Sequence, residues 1–447
     1  MSTDPIFTRR RFLVGAGAST AALATGVALG HWTDILSSSS SPAAAGATSA
    51  GRGPLVLVTL YGGNDGLNTV IPYSDPNYLR LRPNLGYQPG QVLPLADGIG
   101  LNPALKAMHS MWAAGTLAVV RGVGYPNPVL SHFEGMDIWQ TADTTNGSGS
   151  GWLGRWLDAN SYDPLRALSV GTTLPPVLRG QTYAGTAITS TRLSLIGDAT
   201  LQSAFASMQA AGPDRVGMAA AVATAGTNLL EAKGKLDRLA AASTGPDPSS
   251  TSPSFTSPSS TSPSSTSPSS ASAGSAGKAA TGVRRATSGG LAEEMAIVAA
   301  LIKSGAPTEV YQVSMSSFDF HSDEKANEEA LLGELDSAFG SFFADLEGVE
   351  AAKNVVVMTY SEFGRRPAEN ASQGTDHGTA APLFVAGPKV RGGRFYGEEP
   401  SLTSLDRNGN LIFNVDFRSV YTTVLDKVLG ADPQKILGGS FPTLRFL

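Results

Sequence analysis

The chain has 447 residues, 41% of them hydrophobic, a formal net charge of −5 and no cysteine. That length and composition can bury a sizeable core as one large domain or two, while disulfides, thiolate metal sites and cysteine nucleophiles are excluded. Mild acidity, without any Lys/Arg-rich run after the first residues, argues against nucleic acid as a partner.

The first element is TRRRFL, residues 8–13, followed by a mildly apolar stretch to Gly30. This is the layout of a twin-arginine export signal. Gly, Ser and Thr dilute the stretch and large apolar residues are few, which favours a cleavable leader over a retained membrane anchor. The leader is assigned to residues 1–45, with cleavage expected in the small-residue run 42–47. The expected route is the twin-arginine translocase, and the destination the periplasm, the cell surface or the medium, with no stable membrane span after processing.

Short β-rich runs follow at residues 54–60 (PLVLVTL), 116–122 (TLAVVRG), 309–315 (EVYQVSM), 354–360 (NVVVMTY) and 383–387 (LFVAG). Several are almost wholly apolar, as expected of strands covered on both faces. Helical patterns lie between them, among them residues 291–303, 324–346 and 417–429. The alternation predicts an α/β fold with a mostly parallel central sheet and helices on both faces.

One stretch stands apart. Residues 248–272 repeat SPSST, with Pro248, Pro253, Pro258, Pro263 and Pro268 evenly spaced. Such a composition is too poor in apolar side chains to offset the entropy of ordering. Residues 241–290 are therefore read as a disordered surface insertion that interrupts a single domain spanning 53–447, since motif residues occur on both sides of it. Long surface insertions are tolerated because closure entropy grows slowly with length.

In α/β sheets ligands collect at the carboxyl ends of the strands. The residues found there are mostly metal-ligand types. Asp65 follows the first run in YGGNDGLNTV, SSFDFH with Asp319 and His321 follows the third, and SEFGR with Glu362 and Arg365 follows the fourth. Asp376 and His377 lie just before the last, in GTDHGTAAPLFVAG. Of five histidines, His132, His321 and His377 all sit in loops beside acids. A single loop histidine is ordinarily a surface or hydrogen-bonding residue, but three beside acids point to one site. Divalent ions need carboxylate oxygens and imidazole nitrogens converging at about 2.0–2.2 Å, and one loop cannot supply them all.

Each candidate also has a structural role to set beside the chemical one. Ser131 and Glu134 fit a capping box at a helix start, and helix N-termini also bind anions. Asn64 and Asn68 suit a turn. Arg365 is read as an oxyanion clamp or as the partner of a local acid. Asp376 is read as a ligand or as the acceptor for a histidine ring N–H. No G-x-S-x-G elbow, P-loop or G-x-G-x-x-G fingerprint is present.

The leader, GGNDGLNTVIPYSDPNYLRLRP, LNPAL, GYPNPVLSHFEGMDIWQT, GWLGRWLD, FDFHSDE, YSEFGRR and GTDHGTAAPLFVAGPKVRGGRFYG resemble, in that order, the bacterial exported family catalogued as domain of unknown function 1501. That family is similar in turn to the alkaline phosphatase and sulfatase superfamily, which implies an alkaline-phosphatase-like fold with two divalent ions (Zn, Mn, Mg or Ca) at the carboxyl end of the sheet. The resemblance implies Asp65, Asp319, His321 and His377 as metal ligands, and Glu362 and Asp376 join them as candidates from their place beside the strand ends. It also implies Ser131 as nucleophile; His132 is read as a metal or phosphate-oxygen partner or as a residue facing solvent, and with Arg365 it completes the catalytic candidates. Glu362 stands where many members carry an Asp-His dipeptide, so the second ion is expected to have a different ligand set.

Three functional readings remain. The first is an exported metal-dependent hydrolase of small or polymer-borne phosphate or sulfate esters. The second is a non-catalytic envelope or surface protein that keeps the fold, and the third a metal-free serine esterase. Adjacent helical residues point in different directions, so His132 is badly placed as a base for Ser131.

Overall fold

The computed structural model describes residues 52–145, 149–193, 198–209, 217–243 and 290–447. The expected leader and its cleavage run lie outside the described residues, as does most of the expected insertion. At the insertion's edges, a helix continues to Ser243 and Gly290 already caps the next helix.

Among the described residues, nine strands form the central sheet. They are β1 (Leu55–Leu60), β2 (Leu117–Gly124), β3 (Ala167–Val170), β4 (Thr186–Ile188), β5 (Val310–Met315), β6 (Val356–Ser361), β7 (Ala381–Ala386), β8 (Arg394–Tyr396) and β9 (Val415–Asp416). The spatial order is β8-β2-β7-β6-β1-β5-β3-β4, with β9 also paired to β2. All these pairings are parallel except the two made by β7. The mixed α/β architecture with a mostly parallel sheet is the one the alternating pattern predicts.

The helices that matter here are α1 (Lys106–Ala113), α2 (His132–Thr141), α3 (Trp152–Asp158), α4 (Gly217–Ser243), α5 (Leu291–Lys303), α6 (Glu324–Asp345) and α7 (Phe417–Val424). Alternation along a strand sends successive side chains to opposite faces. Val56, Val58 and Leu60 of β1 enter one core with Met108 and Trp112 of α1, Val298 and Ile302 of α5, and Leu335 and Phe339 of α6. Leu55 and Leu57 enter another with Trp139 of α2, Trp152 and Trp156 of α3, and Tyr421 of α7. Helices on both faces explain why β1 is buried at every position and apolar at all but Thr59. Among the described residues, no helix is long and apolar enough to cross a membrane.

Strand register sets the address of the site. Leu60 pairs with Met315 on one side and Ser361 on the other, so three strands end level and Tyr61, Ser316 and Glu362 begin the same rim. Because β7 runs the other way, the loop that precedes it, carrying Asp376 and His377, arrives at that rim too. The segment after β2, which leads through Leu130 into α2, also ends there.

Candidate metal centre

The rim loops touch because glycine allows it. Gly62 and Gly63 have φ of +119° and +75°, and a Cβ on Gly62 would lie 2.7 Å from the backbone nitrogens of Phe318 and Asp319. A side chain at either position would strain the turn or push the loops apart. On the facing loop Ser317 holds φ +85° without being glycine, the kind of local strain that surrounding structure must enforce.

Across this contact three imidazoles converge on one carboxylate. His132 Nε2 lies 3.2 Å from Asp319 Oδ2, while His321 Nε2 and His377 Nε2 lie 3.1 and 3.2 Å from Asp319 Oδ1. The Nε2 atoms of His321 and His377 are themselves 3.1 Å apart. The other nitrogens face acceptors. His132 Nδ1 is 2.8 Å from Glu362 Oε1, His377 Nδ1 is 2.8 Å from the Leu130 carbonyl, and His321 Nδ1 is 3.6 Å from Asp376 Oδ1.

Those outer contacts settle the tautomer of His377, since a carbonyl oxygen only accepts and Nδ1 must carry the proton. In a neutral ring Nε2 is then a lone pair, and here it points at a carboxylate. Lone pairs aimed at an anion need a cation or an added proton between them. Nitrogen and oxygen ligands of a tetrahedral ion at about 2.0–2.1 Å stand roughly 3.3 Å apart, close to the histidine–Asp319 spacings; the ligand atoms of His132, Asp319 and His377 all lie within 4.8 Å of one another, a group that leaves out His321. Imidazoles whose second N–H is held by a carboxylate or carbonyl are also the usual form of a metal-ligating histidine. The donor set therefore fits a borderline divalent ion such as Zn.

Without such an ion, protons carry the load. Hydrogen bonds to Asp319 and then Glu362 push His132 up to about 9, against its burial. Burial alone would push the Asp319 carboxyl up, yet its contacts with His132, His377 and Arg365 hold it well below the carboxylate range.

Glu362 takes a different part from the one expected, and Arg365 takes the second of its two expected parts, as the partner of a local acid. Glu362 is buried, its Oε1 accepting the Gly62 N–H at 2.8 Å as well as His132 Nδ1, and its Oε2 within 3.1 Å of the Ser361 hydroxyl. It orients His132 and does not face the other imidazoles. Arg365 is buried and donates to the carbonyls of Gly62, Gly63, Phe318 and Thr375 and, at 2.7 Å, to Asp319 Oδ1. With its donors taken, it is not free to clamp an oxyanion; it ties the rim loops together and fixes Asp319. The buried Phe363 ring packs against His132 and His377, centroids 4.9 and 4.7 Å away.

Asp65 is the larger departure. It is expected beside the histidines on a shared pair of ions, but its two oxygens form a bidentate pair with the buried guanidinium of Arg82, Oδ1 at 2.9 Å from Nη2. Arg82 also donates to the carbonyls of Pro367 and Arg366, both at 2.9 Å. Asp65 thus belongs to a separate buried group with Glu324 and Glu328, whose ligand atoms lie within 4.8 Å of one another. The two groups are neighbours, linked through the 62–65 turn and Arg365.

Asn64 and Asn68 serve the turn. Asn64 Nδ2 donates to Thr69 Oγ1 at 2.9 Å, and Asn68 joins Tyr78 and Leu85. Ser131 occupies the N-cap position of α2 immediately before His132, exposed, and its side chain makes no cap hydrogen bond. The capping-box expectation fails there and leaves the hydroxyl available.

Glu324 and Glu328 were not anticipated, although the pattern carried them. In α6 the buried stripe runs Glu324, Glu328, Leu332, Leu335, Phe339, Phe342, so two acids continue the phase of an apolar face. Acids in phase with a core stripe signal a buried polar site. Arg82 had no comparable signal.

A family model described as protein of unknown function (DUF1501) matches residues 110–440. No curated protein matches the chain.

Proposed function

Since the chain belongs to the DUF1501 family of unknown function, a kinship that assigns no chemistry, we propose from the rim site itself that the protein is an exported, metal-dependent hydrolase of phosphate or sulfate esters. The observation that carries this reading is the convergence of three Nε2 atoms on Asp319 while the opposite ring nitrogens face acceptors. His132, His321, His377 and Asp319 would hold a divalent ion. Such an ion supplies Lewis-acid polarisation of a phosphoryl or sulfuryl oxygen when bound.

The chain's own residues do the rest by orientation. Glu362 fixes the ring of His132, Leu130 O that of His377, and Arg365 the carboxylate of Asp319. Ser131 offers an exposed hydroxyl one residue from His132 and is the attacking group in this proposal. It stands at the start of a ten-residue helix, α2, whose first N–H groups favour anionic oxygens.

The similarity to the alkaline phosphatase and sulfatase superfamily and the twin-arginine leader belong to the same proposal. Both would put an ester hydrolase outside the cytoplasm. A metal-free serine esterase is disfavoured because His132 Nε2 faces Asp319 and not a hydroxyl.

The test is turnover of phosphomonoester, phosphodiester and sulfate ester substrates by the full chain, before and after chelation and after restoring Zn or Mn. Activity that is lost with the metal and returns with it supports the reading. Equal activity throughout, or none with any ester class in the metal-loaded protein, removes it.

A further inference from the structure

The group around Asp65 lies apart from the imidazoles and has a different composition. Asp65, Glu324 and Glu328 are each no more than 1% exposed, as is Arg82. Three carboxylates there face one guanidinium, because Arg365 spends its hydrogen bonds on Asp319 and on backbone carbonyls.

Hydrogen bonding does not close the balance. Glu328 Oε1 accepts the Asp65 N–H at 3.1 Å, and Glu324 Oε2 accepts the Thr375 hydroxyl at 2.5 Å. Glu324 Oε1 and Glu328 Oε2 have no hydrogen-bond partner although they are buried. An ionised carboxylate left without partners in the interior costs several kcal/mol, so something positive is expected to meet those oxygens.

We propose that Asp65, Glu324 and Glu328 form a second cation site, made of oxygen donors alone and suited to a hard divalent ion of the Mg²⁺ or Ca²⁺ class. Carboxylate-only donor sets select such ions, whereas imidazole favours Zn and its neighbours. The charge fits a divalent ion, since three ionised carboxylates and Arg82 would leave two negative charges. Asp65 still has a free direction for a cation, because a carboxylate offers about four lone-pair directions, of which Arg82 uses two and the Leu67 N–H a third. The site joins the turn after β1 to the first two turns of α6, so its occupant would lock the helix that carries the sheet-covering stripe. The inference stands whether or not the imidazole centre is catalytic.

The experiment uses the full chain, stripped by chelator and dialysed. Its thermal midpoint is measured with and without Mg²⁺ and Ca²⁺, for wild type, Glu328→Gln and His321→Ala. The result expected is a rise of several degrees on adding either ion to wild type and His321→Ala, and no rise in Glu328→Gln. Should Glu328→Gln fail to fold, Tb³⁺ is added to stripped His321→Ala and its tyrosine-sensitised emission followed; emission that Ca²⁺ displaces supports the site. Midpoints unmoved by Mg²⁺ and Ca²⁺, or Tb³⁺ emission that is absent or that Ca²⁺ does not displace, would mean that protons alone neutralise the acids. Loss of the imidazole-site metal in His321→Ala leaves this readout untouched, so the two sites fail separately.

Discussion

His321 Nε2 and His377 Nε2 face each other across 3.1 Å, and both lie within 3.2 Å of the same oxygen of Asp319. Two imidazoles and a carboxylate at those distances cannot all be lone-pair acceptors. A shared cation resolves the arrangement with one ion; without it, His321 must carry its proton on Nε2 or one of the two rings must be an imidazolium.

Glu362 should act through His132. Glu362→Gln keeps an oxygen for the Gly62 N–H and for His132 Nδ1 but loses the charge that raises ring basicity. Metal affinity measured by chelator competition should fall about 10–100-fold, with Glu362→Ala at the larger end. An unchanged affinity in both variants would mean that His132 needs no carboxylate behind it.

Ser131→Ala separates chemistry from binding. Ester turnover should drop by about a thousandfold or more, as removal of a nucleophile does, while metal content stays that of wild type. A variant with full kcat would transfer the attack to water and leave the Ser131 hydroxyl without a part in the chemistry.

Arg82 balances Asp65 in the interior. Arg82→Leu leaves the carboxylate group without its guanidinium, and breaking one side of a buried pair costs about 3–5 kcal/mol. Urea unfolding should report a loss of that order. A loss below roughly 1 kcal/mol would indicate that the acids are already neutral.

Glu294 gives the fold a pH dependence away from both sites. It sits in α5 and accepts the Ser314 N–H at 2.9 Å; burial pushes it up to about 7 from an ordinary value of 4.5. Between those values the folded chain keeps a proton that the unfolded chain has lost. Stability from this group is therefore full below about pH 4.5 and is lost as pH rises through 7. The loss should be roughly 1–3 kcal/mol after allowing for partial solvent access. Glu294→Gln should flatten that slope and be the more stable protein at pH 8; parallel pH profiles for the two would contradict the assignment.

The layered fold was readable because burial on both faces leaves a plain mark. Residues 54–60 and 309–315 each match their strand to within one residue, β1 and β5, and Leu291–Lys303 is the helix predicted. The edge strands β4, β8 and β9 have three residues or fewer, too short for a period to show. The reversal of β7 was equally invisible, since composition does not encode strand direction, yet it is what brings His377 to the rim.

At the site, His132, Asp319, His321 and His377 were legible as chemistry-bearing residues at strand ends. What each would touch was not. Asp65 and Glu362 lie next to backbone turns whose geometry decides their partners, and Arg82 reaches Asp65 from a segment that carries no local signal. Sequence spacing supplied the rim, and packing chose between the two groups.

The most direct measurement is elemental analysis of the full chain purified from its own host, alongside Asp319→Ala. The result expected is a transition metal, Zn or Mn, at about one per chain in wild type and absent from the variant, because Asp319 is where the three imidazoles meet. Wild-type protein that carries no transition metal, and whose ester turnover is indifferent to adding one, would contradict the metal centre and the hydrolase with it.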